Sequence, residues 1–587
     1  MRFSPSPDLS STRRVLLTAL AVWLVVVSIL AIRYGAQTLV RLGDTDNAMR
    51  LVLVRDLLAG RGWYDQLITR LQPPAGAYMH WSRLLDGALA AMVWLLSRVT
   101  TPQNAELATR FIWPMLWIFP ALACALAIAR NLGARAAVLI AAVLMVFDFQ
   151  LYRQFLPGRI DHHNVQITMA VAALACVTAR SHRTALAALA GAASALGLAI
   201  GLEALAFHAL IGAAYAIAVA RDRGEAAPTR AYGVSLAIAA ACFYALQTPP
   251  WRWSLSFCDA IGANLVLALV VGGLGLALVA TFSTRLPAAA RAGAVVLVGL
   301  AAAAVYLSLH PACVRGPFDA LDPRVRSFWF DRIQEIAPWP RLLANNRPVA
   351  IRAMVLMVMA LAAAAFLVLR SWRRPQPNAV LALGLLAVAS VAAFSAQRMG
   401  DYVYWFGFPV LAAAASVIAA RRLKDLMVPT VLAAAVASPL VIFLAITLCA
   451  DAIWPRPAAP PTPSARACFA TAAYARLAAL PRGLVLGETD LGPYVLANSP
   501  HSAVTAPYHR LSASILAAHE AQAAPPPLAE ARVRALGADY VLACRDLPTV
   551  SAPASLAGQL RLGQAPPWLE RLTPLTETLQ IYRVRPR

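Results

Sequence analysis

Two aspartates open a polar segment just after the first apolar run of the chain. In the stretch "RLGDTDNAMRL", Asp44 and Asp46 are two residues apart, and Arg50 follows one or two helical turns later. Carboxylates at this spacing can bind a divalent cation, because such ions prefer hard oxygen ligands. An aspartate in front of "NAMRLVLVRDLL" is also a good helix N-cap, and on these residues alone the cap is the favoured interpretation.

A carboxylate and two imidazoles form the second candidate. Asp161, His162 and His163 stand in the gap between two apolar runs, in the stretch "GRIDHHN". Asp161 and His163 are a plausible pair of metal ligands. Asp161 could equally cap the helix that is predicted to begin near residue 164, so the residues leave both roles open.

Two further candidates lie in later polar segments. Glu335 stands among aromatic and apolar residues in "VRSFWFDRIQEIAPWP", and Arg398 follows an apolar run in "SAQRMGDYVYWFG". Alone, Glu335 is typical of an exposed residue on an amphipathic interfacial helix. Arg398 alone is typical of an arginine that extends toward lipid headgroups.

The composition is that of a membrane protein. Of 587 residues, 60% are hydrophobic and only 13% are charged, a balance that soluble globular proteins of this length do not have. The net charge of +23 resides almost wholly in arginine, since Lys424 is the only lysine. In a membrane protein this charge indicates basic cytoplasmic loops rather than a nucleic-acid partner.

The predicted fold class is an α-helical polytopic membrane protein, because apolar runs of about 17–25 residues recur along the chain. We predict thirteen spans, near residues 15–32, 106–129, 134–152, 164–179, 184–201, 203–220, 231–247, 258–282, 290–308, 349–370, 378–396, 402–419 and 428–450. The shorter segment 84–99 is predicted to be an amphipathic helix at the interface or packed on the bundle.

The arginine clusters orient these spans. With the N-terminus in the cytoplasm, every short loop that contains an arginine cluster falls on the cytoplasmic side, as the positive-inside rule requires. The candidate residues then fall in outer loops, as does a short turn at Glu203. We therefore expect a multi-pass protein of the inner (plasma) membrane with three acidic sites and Arg398 on its outer face. Ionisable groups near a membrane are usually functional, and this set suits a divalent cation and a phosphate-bearing lipid.

The end of the chain predicts a separate outer domain. The membrane domain, residues 1–450, is followed by a Pro-rich linker at 451–466. Residues 467–587 contain short strand-like and helical segments that are typical of a small α/β domain. Cys468 and Cys544 lie in this domain, where a disulfide is permitted, whereas several other cysteines fall in predicted spans as small apolar packing groups.

In these motifs the chain resembles the GT-C glycosyltransferases, most closely the catalytic subunits of oligosaccharyltransferase and especially the archaeal ones. "DTDNAMRL" is similar to the acidic motif in that family's first outer loop, and "DHH" to the archaeal form of its second motif. "RIQE" looks like the segment that contains its loop glutamate. The number of spans and the outer C-terminal domain also match, so the resemblance implies a GT-C fold.

The resemblance also implies roles for the candidate residues. The donor would be a sugar or oligosaccharide on polyprenyl phosphate or pyrophosphate, whose phosphate would be bound by Arg398 and His162. Asp44 and Glu335 would be catalytic, with Asp44 as the general base for the acceptor. A divalent cation, Mn²⁺ or Mg²⁺, would be held by Asp44, Asp161, His163 and Glu335.

One motif departs from the family. Its paired tryptophans, which read the Ser/Thr of the acceptor sequon, are replaced by Glu488 and Thr489 in "GETDLGPY", while Asp490 and Gly492 keep their spacing. The change predicts an altered acceptor, since polar residues suit a hydroxyl-rich molecule better than a threonine methyl. We predict Asp46, Thr489 and Asp490 on the acceptor side, with a glycan, a lipid or a protein as acceptor.

A membrane transporter or flippase of lipid-linked glycans is the alternative function. Such a protein would have two halves related by an internal repeat, with helices broken near the midplane. The sequence has no evident repeat of this kind, and its polar candidates gather at one face. Both features favour the enzyme.

Overall fold

The computed structural model describes residues 9–319, 321–374, 376–422, 426–453, 465–547 and 552–586. Most of the predicted linker, residues 454–464, lies outside the described residues. Ahead of that gap the described chain is mainly helical, as its apolar runs predict. The helices are α1 (Leu9–Val40), α2 (Thr45–Leu58), α3 (Arg83–Leu96), α4 (Pro102–Leu132), α5 (Ala137–Phe147), α6 (His163–Val177), α7 (Arg183–Ile200), α8 (Leu205–Arg221), α9 (Ala226–Gln247), α10 (Ala263–Phe282), α11 (Ala288–Leu309), α12 (Trp339–Asn345), α13 (Arg347–Leu369), α14 (Pro377–Ser395), α15 (Gly400–Arg422), α16 (Met427–Val436) and α17 (Pro439–Ile453).

The spanning helices agree with the prediction. Among the described residues, ten helical segments are long and apolar enough to cross a membrane: α1, α4, α7, α9, α10, α11, α13, α14, α15 and the run formed by α16 and α17. An eleventh is α5 together with the 3-10 turn Phe149–Phe155, bent by 74°. The two remaining predicted spans, 164–179 and 203–220, correspond to the shorter apolar helices α6 and α8. The polytopic helical fold is confirmed.

The start of α10 differs from the prediction. It lies at Ala263 because the side chain of Asn264 closes a loop in front of the helix, accepting from the N–H of Phe257 at 3.3 Å and donating to its carbonyl at 3.0 Å. Cys258 lies in this loop and forms a disulfide with Cys313. It therefore joins two outer loops and is not an apolar packing group inside a span.

The candidate site stands on the most enclosed part of the bundle. Helices α4, α5, α6, α13, α14 and α15 share one hydrophobic core. Helix α15 begins just after Arg398. In its most apolar stretch, 83% of the residues are buried. In α11 the corresponding value is 0%, as expected for a helix that faces lipid. The enclosed α15 thus lies directly beneath the loops that contain the candidate residues.

The loop between α1 and α4, which the arginine pattern predicts to be the first outer loop, packs on top of this bundle. It contains α2, α3 and a small antiparallel ribbon of β1 (Leu67–Ile68) and β2 (Ala77–Tyr78). As predicted, α3 is amphipathic, burying Leu85, Leu89 and Val93. Its Asp86 forms a fully buried ion pair with Arg50 of α2 at 2.7 Å. An acid and a base that are costly to bury alone are here paired, which fixes α2 against α3.

The C-terminal region contains a five-stranded mixed sheet in the order β4-β3-β5-β7-β6, with β3 parallel to β4 and β5 and with β7 antiparallel to β5 and β6. The disulfide that the sequence permits is formed, between Cys468 and Cys544. The strands are β3 (Leu484–Leu486), β4 (Ser502–Ala503), β5 (Tyr540–Cys544), β6 (Leu569–Arg571) and β7 (Leu579–Val584). The helices are α18 (Ala475–Ala478), α19 (Gly492–Asn498), α20 (Ser512–Ala523), α21 (Pro526–Ala535) and α22 (Leu556–Arg561).

The sheet and the first outer loop form one unit. The backbone N–H of Ala503 in β4 donates to the carbonyl of Arg70 at 2.8 Å, and the N–H of Gln72 donates back to the carbonyl of Ala503 at 2.8 Å. Buried apolar residues of both regions belong to a single core. The loop that contains Asp44 and Asp46 is therefore held from two sides, by the bundle and by the C-terminal sheet.

Candidate functional site

Asp44 is the N-cap of α2. Its Oδ1 accepts hydrogen bonds from the backbone N–H of Asn47 at 3.0 Å and from that side chain's Nδ2 at 2.5 Å. Its Oδ2 lies 2.7 Å from Nη1 of Arg159. The capping role is therefore present, and both carboxylate oxygens have protein partners. The side chain is nevertheless 36% exposed, so it remains within reach of a bound molecule.

Asp46 lies in the first turn of α2 and faces the other acids. The pKa of Asp46 is raised well above its ordinary value, first because the carboxyl is withdrawn from water and then because the charges of Asp161, Asp44 and Glu335 repel its own. Carboxylates from three separate outer loops thus converge here. A bound cation would relieve this repulsion.

The Asp-His-His motif lies at the centre of the cluster. The side chains of Asp161 and His163 are each only 3% exposed, and Oδ2 and Nε2 are 3.4 Å apart. Asp161 does not cap α6; its Oδ1 accepts from the N–H of His162 at 2.7 Å and also contacts the ring Nδ1 of that residue. Oδ1 of Asn47 accepts from the N–H of Ile160 at 2.7 Å, which ties the motif to α2.

Glu335 joins the same cluster from a loop, not from the amphipathic helix that was its alternative. The loop runs between the 3-10 turn Phe330–Arg332 and α12. Its Oε2 lies 4.0 Å from Nε2 of His163, and its Oε1 lies 3.7 Å from Nη1 of Arg159. The backbone N–H of Arg398 donates to the carbonyl of Glu335 at 2.9 Å, so the loop is docked on the start of α15.

Arg398 meets an acid that sequence reasoning left without a role. Nε of Arg398 lies 3.3 Å from Oε2 of Glu203, and that same oxygen lies 3.2 Å from Nδ1 of His163. Glu203 stands in the short turn between α7 and α8. A lone glutamate between two apolar runs has no motif spacing, and its only signal is that an acid at a membrane boundary needs a partner.

The C-terminal sheet region reaches the cluster through two tyrosines. The hydroxyl of Tyr494 donates to the carbonyl of Gly43 at 2.9 Å, and that of Tyr508 donates to the carbonyl of Thr45 at 3.3 Å. Gly43 and Thr45 flank Asp44. The C-terminal region therefore holds the backbone on both sides of the capping acid.

Glu488, Thr489 and Asp490, in the stretch that departs from the family motif, have different surroundings. Glu488 turns into the C-terminal core, where a carboxylate oxygen accepts from the N–H of Cys544 at 3.3 Å and lies 3.5 Å from Arg561. Thr489 begins a 3-10 turn. Asp490 is exposed, and its charge contributes to the raised pKa of Tyr494. Glu488 is thus a structural acid, whereas Asp490 is open to solvent.

Comparison with known proteins gives a fold. No family model matches the sequence, and no curated protein matches it. The apo crystal structure of the oligosaccharyltransferase of Archaeoglobus fulgidus is similar, with a TM-score of 0.68 and 15% identity over 90% of this chain and 69% of that one. The chain has the fold of archaeal oligosaccharyltransferase. The predicted GT-C-like fold is thereby confirmed.

Two further oligosaccharyltransferase structures from Archaeoglobus fulgidus contain ligands. The complex with an inhibitory peptide and a dolichol-phosphate has a TM-score of 0.63 and 15% identity over 97% of this chain and 74% of that one. The complex with Zn and sulfate has a TM-score of 0.55 and 16% identity over 93% and 70%.

Within the oligosaccharyltransferase fold of this chain, the outer cluster fits a divalent cation. Nε2 of His163 faces the carboxylates of Asp161 and Glu335, at 3.4 and 4.0 Å, and Asp46 adds a carboxylate that its neighbours repel. Three carboxylates with one imidazole suit a hard or borderline ion, and Mn²⁺ tolerates the imidazole better than Mg²⁺.

A second polar cluster joins the C-terminal region to the bundle. Asp259, in the loop before α10, lies 2.7 Å from Nε2 of His509, and the ring of His80 is 4.8 Å from that of His509. The spacing of these three residues would allow a metal ion. Arg510, however, donates to both oxygens of Asp259 at 2.7 Å. An arginine that occupies the carboxylate repels a cation, so this cluster is an ion-pair link.

Proposed function

We propose that the protein is a glycosyltransferase that moves a sugar or oligosaccharide from a polyprenyl phosphate or pyrophosphate to an acceptor on the outer side of the membrane. The observation that carries this proposal is the meeting of Asp161, His163 and Glu335 beside Arg398, at the outer ends of spanning helices. A cation site next to an arginine matches the two needs of a phosphate leaving group, which are charge neutralisation and directed hydrogen bonds.

The cation would be held by residues from three loops. Asp161, His163 and Glu335 are the proposed ligands, and Asp46 is a better fourth ligand than Asp44 because both oxygens of Asp44 already pair with Asn47 and Arg159. When bound, a divalent cation supplies Lewis-acid neutralisation of the charge that develops on the leaving phosphate.

The donor phosphate would be bound by Arg398, with His162 as a neighbour. The guanidinium of Arg398 is 27% exposed, so part of it is free to donate charge-assisted hydrogen bonds to phosphate oxygens. Arg159 contacts both Asp44 and Glu335. It would hold these acids in place while the phosphate binds.

The acceptor would enter between the first outer loop and the C-terminal region. Asp44 is the proposed general base, because its side chain is 36% exposed and lies next to the backbone that Tyr494 holds. Thr489 and Asp490 are the proposed acceptor contacts. A hydroxyl-rich acceptor such as a glycan suits them, since no tryptophan stands at 488 or 489.

The test is transfer by purified protein in nanodiscs. A polyprenyl-linked sugar donor is mixed with Mn²⁺ and either a glycan or an Asn-X-Thr peptide, and the products are identified by mass spectrometry. Metal-dependent transfer to the glycan supports the proposal. Efficient transfer to the peptide, lost when its threonine becomes alanine, would refute the altered acceptor but not the donor chemistry. Transport of intact donor without transfer would contradict the whole proposal.

A further inference from the structure

Glu203 is a buried acid that the proposed chemistry does not yet use. It lies in the turn between α7 and α8, and only 7% of its side chain is exposed. Just before it, α7 ends against α6 at Gly201, where a Cβ would come within 2.8 Å of Nε2 of Gln166. Gln166 is in the same first turn of α6 as His163. This close approach brings the turn, and with it Glu203, against the ring of His163.

Three buried polar atoms meet at this carboxylate. Oε2 of Glu203 lies 3.2 Å from Nδ1 of His163 and 3.3 Å from Nε of Arg398. In the described part of the chain, none of these three atoms has a hydrogen-bond partner of good geometry, and the contacts at 3.2 and 3.3 Å are the closest approaches between them. Buried polar groups are nearly always paired, because an unpaired one costs its full desolvation. The three atoms are thus placed to pair with one another, and a small rotation of the side chains would complete the hydrogen bonds.

The contact decides which nitrogen His163 presents to the cluster. A carboxylate beside Nδ1 favours the tautomer with its proton on Nδ1, which leaves the lone pair of Nε2 free. That nitrogen faces Asp161 and Glu335. Metal-bound imidazoles generally donate their other N–H to a carboxylate or carbonyl, which fixes both tautomer and ring orientation.

Arg398 explains how Glu203 can stay ionised while buried. A carboxylate that faces only a neutral imidazole would be costly away from water, whereas a guanidinium at 3.3 Å compensates its charge. Removing the carboxylate would leave the buried Nε of Arg398 without a partner. Glu203 therefore supports two neighbouring side chains at once.

We propose that Glu203 is a positioning residue, which accepts a hydrogen bond from the Nδ1–H of His163 and so presents Nε2 to a divalent cation, with Arg398 held beside it. The inference rests on the proposed cation site. Glu203 contacts neither the donor nor the cation, and acts only through His163 and Arg398.

The experiment measures Mn²⁺ binding to the full-length protein in nanodiscs without donor or acceptor. Free Mn²⁺ is counted by electron paramagnetic resonance, and coordination by imidazole is read from the nitrogen coupling in a spin-echo experiment. In Glu203→Gln we expect affinity to fall roughly 10–100-fold, the usual effect of losing such a partner. We also expect the nitrogen coupling to weaken, because an amide can donate to Nδ1 and shift the proton to Nε2. Glu203→Asp keeps the negative charge but places it one methylene further from Nδ1 of His163. This variant should retain the nitrogen coupling and bind Mn²⁺ more weakly than the wild type.

The matched control is Glu225→Gln, in the 3-10 turn Arg223–Glu225 before α9. Glu225 also pairs with an arginine, Arg183, at 2.5 Å, but Arg183 is the first residue of α7, at the end opposite the Glu203 turn. This variant should bind Mn²⁺ as the wild type does. If a folded Glu203→Gln or Glu203→Asp protein binds Mn²⁺ with unchanged affinity and coupling, the role of Glu203 is refuted while the cation site stands. If the wild type itself binds no Mn²⁺, the cation site and this inference are both refuted.

Discussion

The hydroxyl of Tyr494 donates a hydrogen bond to the carbonyl oxygen of Gly43 over 2.9 Å, across 451 residues of chain. Gly43 directly precedes Asp44, the cap of α2 and the proposed general base. A residue of the C-terminal region therefore sets the backbone from which the acids of the first loop project. The two regions also share one hydrophobic core, so the C-terminal region is part of the candidate site and not an appendage.

Tyr494→Phe should reduce transfer without unfolding the protein. It removes one hydrogen bond, worth about 1 kcal/mol, and loosens the loop in front of Asp44. We expect a loss of roughly 5–10-fold in kcat/KM, since about 1.4 kcal/mol corresponds to a factor of ten. The control is Tyr540→Phe, whose hydroxyl donates to the carbonyl of Pro481 inside the C-terminal region. Equal activity losses in the two variants would argue against a specific role for Tyr494.

Asp161→Asn and Asp44→Asn should separate cation binding from base catalysis. Asp161→Asn replaces a ligand, so we expect Mn²⁺ binding to be lost and transfer to fall more than about 100-fold, given the several kcal/mol that a cation can supply. In Asp44→Asn the amide oxygen can still cap α2. Loss of a general base lowers the rate by about 10²–10⁴-fold, while Mn²⁺ binding should persist.

Calorimetric Mn²⁺ titration alongside the transfer assay makes this comparison. Asp222→Asn is the control, because Asp222 caps only the turn at Gly224. An Asp44→Asn protein that has lost Mn²⁺ binding would show that Asp44 is a ligand. An Asp161→Asn protein with normal binding would place the cation elsewhere.

The helical layout could be predicted because it follows from local properties of the sequence. Run lengths and apolar content suffice to find spanning helices, and the thirteen predicted segments all coincide with helices. The predicted start of α10 was wrong, because the boundary depends on one side chain, Asn264, that folds back on Phe257. For the same reason the disulfide of Cys258 with Cys313 was missed.

The candidate site was only partly predictable. His163 and Glu335 are brought within 4.0 Å by packing of distant loops, and the resemblance to a family, not periodicity, suggested their meeting. Glu203 was missed because its role depends on the close approach of two helices at Gly201. Glu488 was expected, as a polar residue in place of a tryptophan, to suit a hydroxyl-rich acceptor. Its contacts with Cys544 and Arg561 turn it inward instead, and no local pattern reveals them.

Substitutions of Glu488 and Thr489 should therefore have different effects, the first on stability and the second on the choice of acceptor. Glu488→Ala leaves the N–H of Cys544 and the side chain of Arg561 without their partner, and we expect a loss of about 1–3 kcal/mol in unfolding free energy. Thr489→Ala should leave stability unchanged and shift the preference among acceptors. Thermal unfolding together with an acceptor panel distinguishes these outcomes. A Thr489→Ala protein with the wild-type acceptor profile would remove Thr489 from the acceptor site.

The orientation in the membrane can be tested by reporter fusions. The arginine pattern predicts the N-terminus in the cytoplasm and the C-terminal region outside. Fusions after Arg422 and after Arg466 lie on either side of the run formed by α16 and α17, so a reporter active on only one side of the membrane should give opposite signals. Equal signals at the two points would contradict the predicted topology.

Asp259 should make the attachment of the C-terminal region sensitive to acid. Burial alone would raise the pKa of Asp259, but hydrogen bonds from His509 and Arg510 outweigh it and hold the pKa below its usual value. A carboxyl with a lowered pKa stabilises the folded state above its unfolded pKa, near 4, and this contribution is lost as the pH falls further. At neutral pH, Asp259→Asn should lower the unfolding free energy by about 1–3 kcal/mol.

The difference between wild type and Asp259→Asn should therefore be full at pH 7 and shrink as the pH falls below about 4. Thermal unfolding across this range measures it, with the C-terminal tyrosines as a fluorescence probe. Asp322→Asn is the control, since Asp322 pairs only with the exposed Arg324 and such surface pairs contribute about 0–1 kcal/mol. A difference that stays constant from pH 7 to pH 3 would mean that the charge of Asp259 does not hold the two regions together.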